Sequence, residues 1–247
     1  DHRDLHQSLR RQRQMCIRDR GLRTSKKVIV KPNIGGMDAS KYGGRLVSHT
    51  EPCFVHAVLN AIRDVSDCEI IVADDYLNEK RLSKKMLAKL FGSTDQEHVL
   101  KTSNVKLIDS NKGPYVKVAV PNDGKIMRYY YFNKELTGAD AVISIQKLKV
   151  HLFSGISLTM KNLFGLLPTP LYGYGFRFYI HYPVRLPRAL VDFNLIFKPS
   201  ISIIDGLVGE ELQEWHGAPV PSNVIIIGTV SYTHLRAHET RHDLVCR

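Results

Sequence analysis

The sequence predicts an α/β domain with a mainly parallel sheet, flanking helices and an antiparallel hairpin insertion. Short β-branched runs alternate with amphipathic helical segments along the chain, which is typical of parallel strands joined by crossover helices. Several of these runs are apolar throughout, as strands covered on both faces usually are. One Asp-Gly turn, PNDG at residues 121–124, lies between two further runs and indicates the hairpin.

The two ends of the chain are set aside from this fold prediction. Residues 15–20 and 230–234 can be encoded by DNA sequences that are reverse complements of each other, as the two copies of a translated sequencing adapter are. We therefore expect residues 1–20 and 230–247 to be adapter-derived and excluded, like a fusion scar. We expect residues 21–229 to form one domain, truncated at both ends as in a metagenomic fragment. A genuine basic tail that binds nucleic acid is the alternative.

Composition limits the classes of function. The 247 residues include 35 basic and 24 acidic side chains, of which nine and five lie in the two end segments. The remaining 26 and 19 leave a net charge of +7, which suits a small anionic partner and does not require nucleic acid. The sequence contains no apolar run of the roughly 20 residues that a membrane span needs. We therefore expect neither nucleic acid nor a membrane as a partner.

The cysteines give little indication of a cofactor. Only Cys53 and Cys68 lie between the end segments, and no CxxC pair occurs. The chain therefore has no iron–sulfur or zinc-finger cysteine motif. Two separated cysteines fit a reducing compartment, so we expect a cytoplasmic protein of unknown cofactor.

The elements of the first half follow from local patterns. A β-branched run at residues 27–30 predicts a strand that feeds a Gly-rich loop. Thr50 is the expected N-cap of a helix whose apolar side chains recur at helical spacing up to Val65. Residues 68–73 predict a second strand, parallel to the first. A helix over 83–91 and a strand over 105–108 are expected next.

The second half continues the alternation. Runs at 116–120 and 126–132 flank the hairpin turn, and residues 141–145 predict a buried parallel strand. A buried helix over 188–197 follows. The last predicted elements are two buried strands, 200–204 and 223–227, with a loop over 205–221 between them.

The run ISIQKLKVHLFSGISLTMKNLFGLLP, residues 143–168, contains the strongest chemical pattern. His151 lies at the edge of a strand and Lys161 lies on the short helix that follows, with Gly165 as its expected C-cap. Ligands of open α/β sheets bind beyond the carboxyl ends of the strands, which makes His151 and Lys161 candidate catalytic residues. Lys161 has apolar neighbours, so it either reaches to solvent or is desolvated with a lowered pKa. A helix that docks on the sheet with an exposed lysine is the structural alternative.

Other candidates lie at neighbouring strand ends. Lys31 and Asn33 precede a Gly-Gly pair whose backbone amides are able to cradle an anion. Asn162 adjoins Lys161. Together with Lys31 and Asn33, it is a candidate ligand-binding residue. His181 follows an aromatic stretch in which Arg177 is able to bind a carboxylate or phosphate, although an aromatic cover on the core is the alternative.

A metal site is also considered. Asp205 follows a predicted strand, and Glu210, Glu211, Glu214 and His216 lie downstream. Such oxygen-rich segments are able to bind a hard cation, whereas many acidic loops are merely solvated. Asp205 is therefore a weak candidate metal ligand.

The chain resembles the domain-of-unknown-function 362 family over nearly all of residues 27–229. KPNIGG, SIQKLKVHLFSGISLTMKNLFGLLP and ISIIDGLVGEELQEWHGAPVP carry the resemblance, and the KNLFG box with an upstream K-x-H and a downstream His is its most specific part. The family is bacterial and archaeal, and its biochemical activity is not established. Many members carry or lie beside ferredoxin-type iron–sulfur modules. The resemblance thus implies a ferredoxin-type module or partner, which this member either lacks or has beyond the truncation.

A more distant similarity is to lactate racemase-like proteins. These carry a His-(x)9-Lys segment in which the Lys tethers a nickel-pincer nucleotide and the His is an acid/base group. His151 and Lys161 have that spacing in HLFSGISLTMK, but residues 158–160, Leu-Thr-Met, replace the Gly-Gly that often precedes the lysine. Three hypotheses follow. The domain binds or transforms a small anionic ligand at the strand ends, is a redox accessory of an iron–sulfur module, or is a nickel-pincer-like isomerase.

Overall fold

The structure is a computed structural model that describes residues 21–34, 40–75, 104–173, 177–182, 184–214 and 216–229. The α-helices of these residues are α1 (Pro52–Arg63), α2 (Thr159–Asn162), α3 (Thr169–Tyr172) and α4 (Leu186–Phe197). Single 3-10 turns cover Leu22–Thr24, Pro121–Asp123, Lys134–Leu136 and Leu163–Leu166. The strands are β1 (Lys27–Pro32), β2 (Lys41–Tyr42), β3 (Arg45–Leu46), β4 (Glu69–Asp74), β5 (Val105–Asp109), β6 (Tyr115–Ala119), β7 (Tyr129–Asn133), β8 (Ala141–His151), β9 (Gly155–Ile156), β10 (Ile201–Glu211), β11 (Ala218–Val220) and β12 (Val224–Gly228).

The main sheet is mostly parallel, as predicted. Its strands lie in the order β11-β10-β8-β1-β4-β5, and the five from β10 to β5 are mutually parallel. The antiparallel members are β11 and β12, which pair with β10, and β9, which pairs with β8. β6 and β7 form a separate antiparallel hairpin, and β2 pairs with β3. The predicted fold class is therefore confirmed.

Side chains of β1 alternate between two cores, one on each face of the sheet. Val28 and Val30 pack with the apolar side of α1, whereas Ile29 packs on the opposite face with α4 and the hairpin. Such alternation is what a strand covered on both faces requires, because successive side chains point to opposite sides. Both cores are fully buried.

The hairpin joins the second core through aromatic rings. Tyr130 and Phe132 of β7 contact Phe193 of α4 at centroid distances of 4.9 and 6.2 Å. The carboxylate of Asp192 accepts hydrogen bonds from the Tyr130 hydroxyl (2.9 Å) and the Ile126 amide (3.1 Å). These contacts tie the turn of the hairpin to the helix, and the predicted hairpin is confirmed.

Helix α1 begins one residue later than the predicted cap implies. Its N-cap is Glu51, whose side chain makes no capping hydrogen bond to the first turn of the helix. Thr50 is fully buried, and its hydroxyl donates to the Ile145 carbonyl (3.0 Å) and accepts from the Asn33 amide (2.9 Å). The prediction of Thr50 as N-cap is wrong, because this hydroxyl links α1 to the sheet instead.

Three further predictions are corrected. Residues 205–211 continue β10 instead of forming a loop, because they pair with β8 and β11. The last strand, β12, is antiparallel and partly exposed at the sheet edge, so it is not a buried strand. Gly165 lies inside the 3-10 turn Leu163–Leu166 and is not a C-cap. The predicted helix over 83–91 and the Gly-Gly pair after Asn33 lie outside the described residues.

Strand β8 extends well past its neighbour β1. The register of the two strands ends at the pair Pro32 and Ile145, and β8 continues for six more residues to His151. This extension is held by β10 on one side and by β9 at its tip. The step between a short and a long parallel strand creates a recess at the carboxyl edge of the sheet.

None of the helices in the described ranges has the length and apolar character that a membrane span requires.

Candidate functional site

A cleft of about 1010 Å³ lies at this carboxyl edge. It is where ligands of open parallel sheets usually bind. Six residues predicted from the sequence line it together: Lys31, Asn33, His151, Lys161, Asn162 and His181. Side chains from the ends of β1, β4 and β8, the α2 helix and the segment after α3 thus share one cavity.

A buried ion pair forms part of the cleft floor. The ammonium of Lys31 lies 2.7 Å from Asp74 Oδ1 and donates to the Pro32 carbonyl at the same distance. The other carboxylate oxygen of Asp74 accepts from the Ile34 amide (2.9 Å). Burial raises the pKa of Asp74 to about 7, and the positive charge of Lys31 opposes that shift. The ammonium of Lys31 therefore already has partners within the protein.

Asn162 anchors the α2 helix to the sheet. Its amide nitrogen donates to the Lys31 carbonyl and to Ser144 Oγ, both at 2.9 Å, and its oxygen accepts from the Lys31 ammonium at 3.3 Å. The side chain is almost fully buried. Asn33 lies 3.4 Å from the same amide oxygen. Asn162 thus has internal partners on both ends of its amide.

The ion pair between Lys31 and Asp74 explains why residue 165 is a glycine. A Cβ atom at this position would lie 2.5 Å from Asp74 Oδ1 and 2.8 Å from Lys31 Nζ. The backbone of the 3-10 turn can approach the ion pair only because no side chain is present. The Asn and Gly of the KNLFG segment therefore hold the turn against the sheet, and this fixes where Lys161 points.

A second buried ion pair closes one side of the cleft. Arg177 binds the Asp75 carboxylate through Nη2, and its Nε donates to the Leu167 carbonyl. Burial opposes ionisation of Asp75, but the charges of Arg177 and Lys31 outweigh burial and hold its pKa below the usual range. Arg177 was predicted as a possible ligand for a carboxylate, and the carboxylate that it binds belongs to the protein.

Lys161 differs from the other cations of the cleft. Its ammonium makes no hydrogen bond and no ion pair to any described residue, and it lies 4.7 Å from the centroid of the Phe164 ring. Burial, together with the charges of Arg177 and Lys149, lowers its pKa to about 7, although Glu214 and Asp75 oppose the shift. Lys161 is half-buried, and its lowered pKa favours the desolvated alternative over a fully exposed lysine.

His151 is fixed in one tautomer by its backbone surroundings. Its Nδ1 accepts from the Phe153 and Ser154 amides at 3.1 and 3.2 Å, so the proton of the neutral ring lies on Nε2. Nε2 in turn lies 3.3 Å from Glu214 Oε1. Burial, with smaller effects from the charges of Lys161, His181 and Lys149, lowers the pKa of His151 far below its usual value. A neutral imidazole that donates from Nε2 is the result.

His181 and Lys149 complete the polar lining. The His181 ring lies 5.2 Å from the His151 ring and 4.7 Å from the Phe164 ring, by centroids. Lys149 is buried, and burial lowers its pKa while Glu214 and Glu210 oppose that effect. Both side chains therefore add donors or positive charge near the free ammonium of Lys161.

Asp205 lies away from the cleft and has other partners. Its carboxylate pairs with the Lys147 ammonium at 3.0 Å, and both side chains are fully buried. It also accepts from the Glu51 amide (2.9 Å) and the Leu207 amide (3.2 Å). Asp205 thus caps α1 from the sheet. In the described part of the chain, no group of three or more His, Cys, Asp or Glu side chains is placed to hold a metal ion.

Sequence reasoning missed several residues that line the cleft. Asp74 and Asp75 directly follow a buried strand, a position that could have indicated the same sheet edge. Glu214 was considered only as a metal ligand, whereas its carboxylate contacts His151 and the Leu152 amide (3.2 Å). Leu152 directly follows β8, but nothing in its local sequence indicates that it lines a cleft.

Comparison with known proteins gives a family match. The family model of the domain of unknown function DUF362 matches residues 28–232. The chain belongs to the DUF362 family. The strand-end cleft described above thus lies in a DUF362 domain, and the KNLFG segment forms part of its lining.

One curated relative of this DUF362 domain matches part of the chain. It is 26% identical over 122 residues to the thylakoid-associated protein sll1697 of Synechocystis sp., a match that covers 49% of this chain and 36% of that protein. The chain therefore spans only about a third of this curated relative.

Two solved structures share its fold. The lactate racemase apoprotein from Thermoanaerobacterium thermosaccharolyticum has a TM-score of 0.51 and 14% identity, over 89% of this chain and 50% of that one. A structural-genomics protein from Thermotoga maritima has a TM-score of 0.52 and 16% identity, over 95% and 57%. At these identities the DUF362 domain is related to them in fold alone.

Proposed function

We propose that this DUF362 domain binds a small anionic ligand at the carboxyl ends of β1, β4 and β8, with Lys161 as the principal cation. The free ammonium of Lys161 is the observation on which the proposal depends. Lys31 and Arg177 are each paired with a buried carboxylate, whereas Lys161 is not paired within the described residues. A half-buried cation without an internal partner gains more from an incoming anion than a cation that is already paired.

His151 supports the same proposal as a neutral donor. With Nδ1 occupied by two backbone amides, its Nε2–H is directed toward Glu214. A ligand oxygen that replaces part of this contact would receive a hydrogen bond without a second charge. Lys161 has a pKa of about 7, so it is suited to exchange a proton with a bound ligand at neutral pH. Catalytic roles for His151 and Lys161 are part of this proposal.

Thermal unfolding at pH 6 in the presence of acetate or inorganic phosphate tests the binding function. A ligand at 100 times its Kd stabilises the folded state by about 2.7 kcal/mol, which raises the Tm of a domain of this size by several degrees. We expect this rise for the unsubstituted chain and its loss in Lys161→Met. Lys125→Met, at an exposed position outside the cleft, is the matched control and should retain it. An equal rise in Lys161→Met would contradict the proposal.

A second candidate function is covalent tethering of a cofactor at Lys161. The fold similarity to the lactate racemase apoprotein and the placement of His151 and Lys161 in one cleft favour it. An amine with a pKa of about 7 is largely neutral at and above neutral pH, so it is a nucleophile toward an acyl carbon of a cofactor that carries its own leaving group. The nickel-pincer nucleotide implied by the resemblance would supply the metal chemistry when bound.

Intact mass and metal analysis test this second candidate. An adduct that is present on the unsubstituted protein and absent from Lys161→Met, together with nickel, is the expected result. An unmodified mass and no nickel would rule it out. A cytoplasmic location, a ferredoxin-type partner and the redox accessory role stay predictions.

A further inference from the structure

The rim of the cleft is apolar and unusually exposed. Leu152, Leu212, Phe178 and Tyr182 line it, and their side chains are 77%, 89%, 60% and 63% exposed. These four are among the six most exposed large apolar side chains of the described residues. The other two, Tyr179 and Val184, lie in the same chain segment as Phe178 and Tyr182. Exposed apolar side chains that cluster in this way mark binding surfaces rather than ordinary surface scatter.

The two leucines occupy equivalent places on neighbouring strands. Leu152 directly follows β8, and Leu212 directly follows β10, its parallel neighbour. Strand pairing thus presents both residues at the same edge of the sheet, where they line the cleft together with His151 and Lys161. The cleft is therefore polar and charged at its floor and apolar at its mouth.

Leu212 is placed there at a conformational cost. Its φ is +69°, in the left-handed region that costs a non-glycine residue roughly 1–2 kcal/mol. Gly or Asn would adopt this conformation more easily, and a polar side chain would be better hydrated. Strained residues of this kind cluster at ligand contacts. A leucine at this position is both conformationally strained and exposed to water. These two independent costs indicate that its side chain contacts a ligand.

The charges of the lining limit the acid group of the ligand. Lys31, Lys149, Lys161 and Arg177 contribute positive charge, and Asp74, Asp75 and Glu214 contribute negative charge. With all seven groups ionised the excess is one positive charge, and it rises toward two at pH 6 as Asp74 becomes protonated. A polyphosphate would meet at least two carboxylates and at most two unmatched cations, whereas a single carboxylate would match Lys161.

We propose that the ligand is a monoanion with an alkyl or aromatic body, its acid group at Lys161 and its body between Leu152, Leu212, Phe178 and Tyr182. This inference rests on the proposed anion-binding function and specifies its substrate class. The polarity of the cleft from floor to mouth matches such a molecule. The volume of about 1010 Å³ accommodates a ligand much larger than acetate.

Calorimetric titration at pH 6 with acetate, butyrate, hexanoate and phenylacetate tests the inference. Each methylene that contacts the rim should tighten binding about two- to fourfold, so hexanoate should bind at least tenfold more tightly than acetate. Hexanol, which lacks the acid group, should bind at least tenfold more weakly than hexanoate. Binding of hexanol equal to that of hexanoate would overturn the inference.

Three variants separate the two parts of the ligand. Leu212→Asn should retain acetate binding and lose most of the gain with chain length, and circular dichroism should confirm its fold. Leu171→Asn changes an exposed leucine outside the cleft and should retain the full gain. Lys161→Met should lose binding of every carboxylate.

Other outcomes would overturn this inference in distinguishable ways. If acetate binds through Lys161 but affinity does not change with chain length, the rim is not a ligand contact and the anion-binding function stands. If no carboxylate binds, both proposals fail. If the chain-length series is flat while anionic phospholipid vesicles capture the protein and Leu212→Asn abolishes capture, the rim is a membrane contact instead.

Discussion

The proposed anion site predicts a pH dependence, because the charge of Lys161 changes near neutrality. Burial lowers its pKa to about 7, so the ammonium is mostly protonated below pH 6 and mostly neutral above pH 8. Anion affinity should therefore be highest below pH 7 and fall about tenfold per pH unit above it. Titration of acetate at pH 6, 7, 8 and 9 measures this dependence. Constant affinity up to pH 9 would contradict the assignment.

Lys161→Arg is the matched control for this prediction. Arginine stays charged throughout the range, so this variant should retain most of its affinity at pH 9. Asp74, whose pKa is raised to about 7, gains negative charge in the same interval and acts in the same direction. Any decline that remains in Lys161→Arg would therefore measure the contribution of Asp74.

Asn162 is expected to act on stability more than on ligand binding. Asn162→Ala removes the hydrogen bonds to the Lys31 carbonyl and to Ser144 Oγ, and it removes one acceptor of the Lys31 ammonium. A buried hydrogen bond contributes about 0.5–1.5 kcal/mol, and one to a charged group contributes more, so the free energy of unfolding in urea should fall by about 2 kcal/mol. Asn60→Ala, on the exposed side of α1, should cost much less. Equal effects of the two substitutions would refute this role.

The residues that meet in the cleft could be predicted only in part. Lys31, His151, Lys161 and Asn162 follow from the rule that ligands bind at the carboxyl ends of parallel strands. The partners that neutralise charge there could not be predicted. Arg177 and Asp75, for example, lie 102 residues apart, and no local pattern in the sequence connects them.

Among the elements, α1 shows how a distant strand replaces a local cap. The Asp205 carboxylate accepts from the first amide of the turn and pairs with the Lys147 ammonium, both in the core. Asp205→Asn leaves Lys147 charged and buried, and removal of one partner of a buried pair typically costs 3–5 kcal/mol. We expect a loss of about 3 kcal/mol in urea unfolding.

Lys147→Met in the Asp205→Asn background is the control. It removes the uncompensated ammonium, so the double variant should be more stable than Asp205→Asn alone by at least about 1 kcal/mol. A double variant that is less stable than the single one would show that the charge of Lys147 is not the cause.

The lengths of β8 and β10 were underestimated for a related reason. Their first halves are apolar and were predicted, whereas residues 146–151 and 205–211 mix charged, polar and glycine residues. These second halves are strands because each pairs with the other. Such pairing is a property of two distant segments, and neither segment carries it alone.

At the scale of the whole molecule, the layered fold was predictable because strand and helix periods alternate along the chain. The sequence also predicts that residues 1–20 and 230–247 are not part of the domain, and removal of these segments tests that prediction. A chain trimmed to residues 21–229 should unfold within about 2 °C of the full chain, because the described elements lie within that range. A decrease of several degrees would mean that the end segments contact the domain, contrary to the prediction.

The extension of β8 beyond β1 also has a consequence for local unfolding. His151 lies at the end of a strand whose ladder continues through the core, and not on an independent loop. Opening of the cleft wall therefore requires breaking hydrogen bonds of the central sheet, which are the most protected from amide hydrogen exchange in proteins of this kind. We expect the amides of β8 up to Lys149 to exchange at rates close to those of global unfolding, so that this wall persists for as long as the domain stays folded.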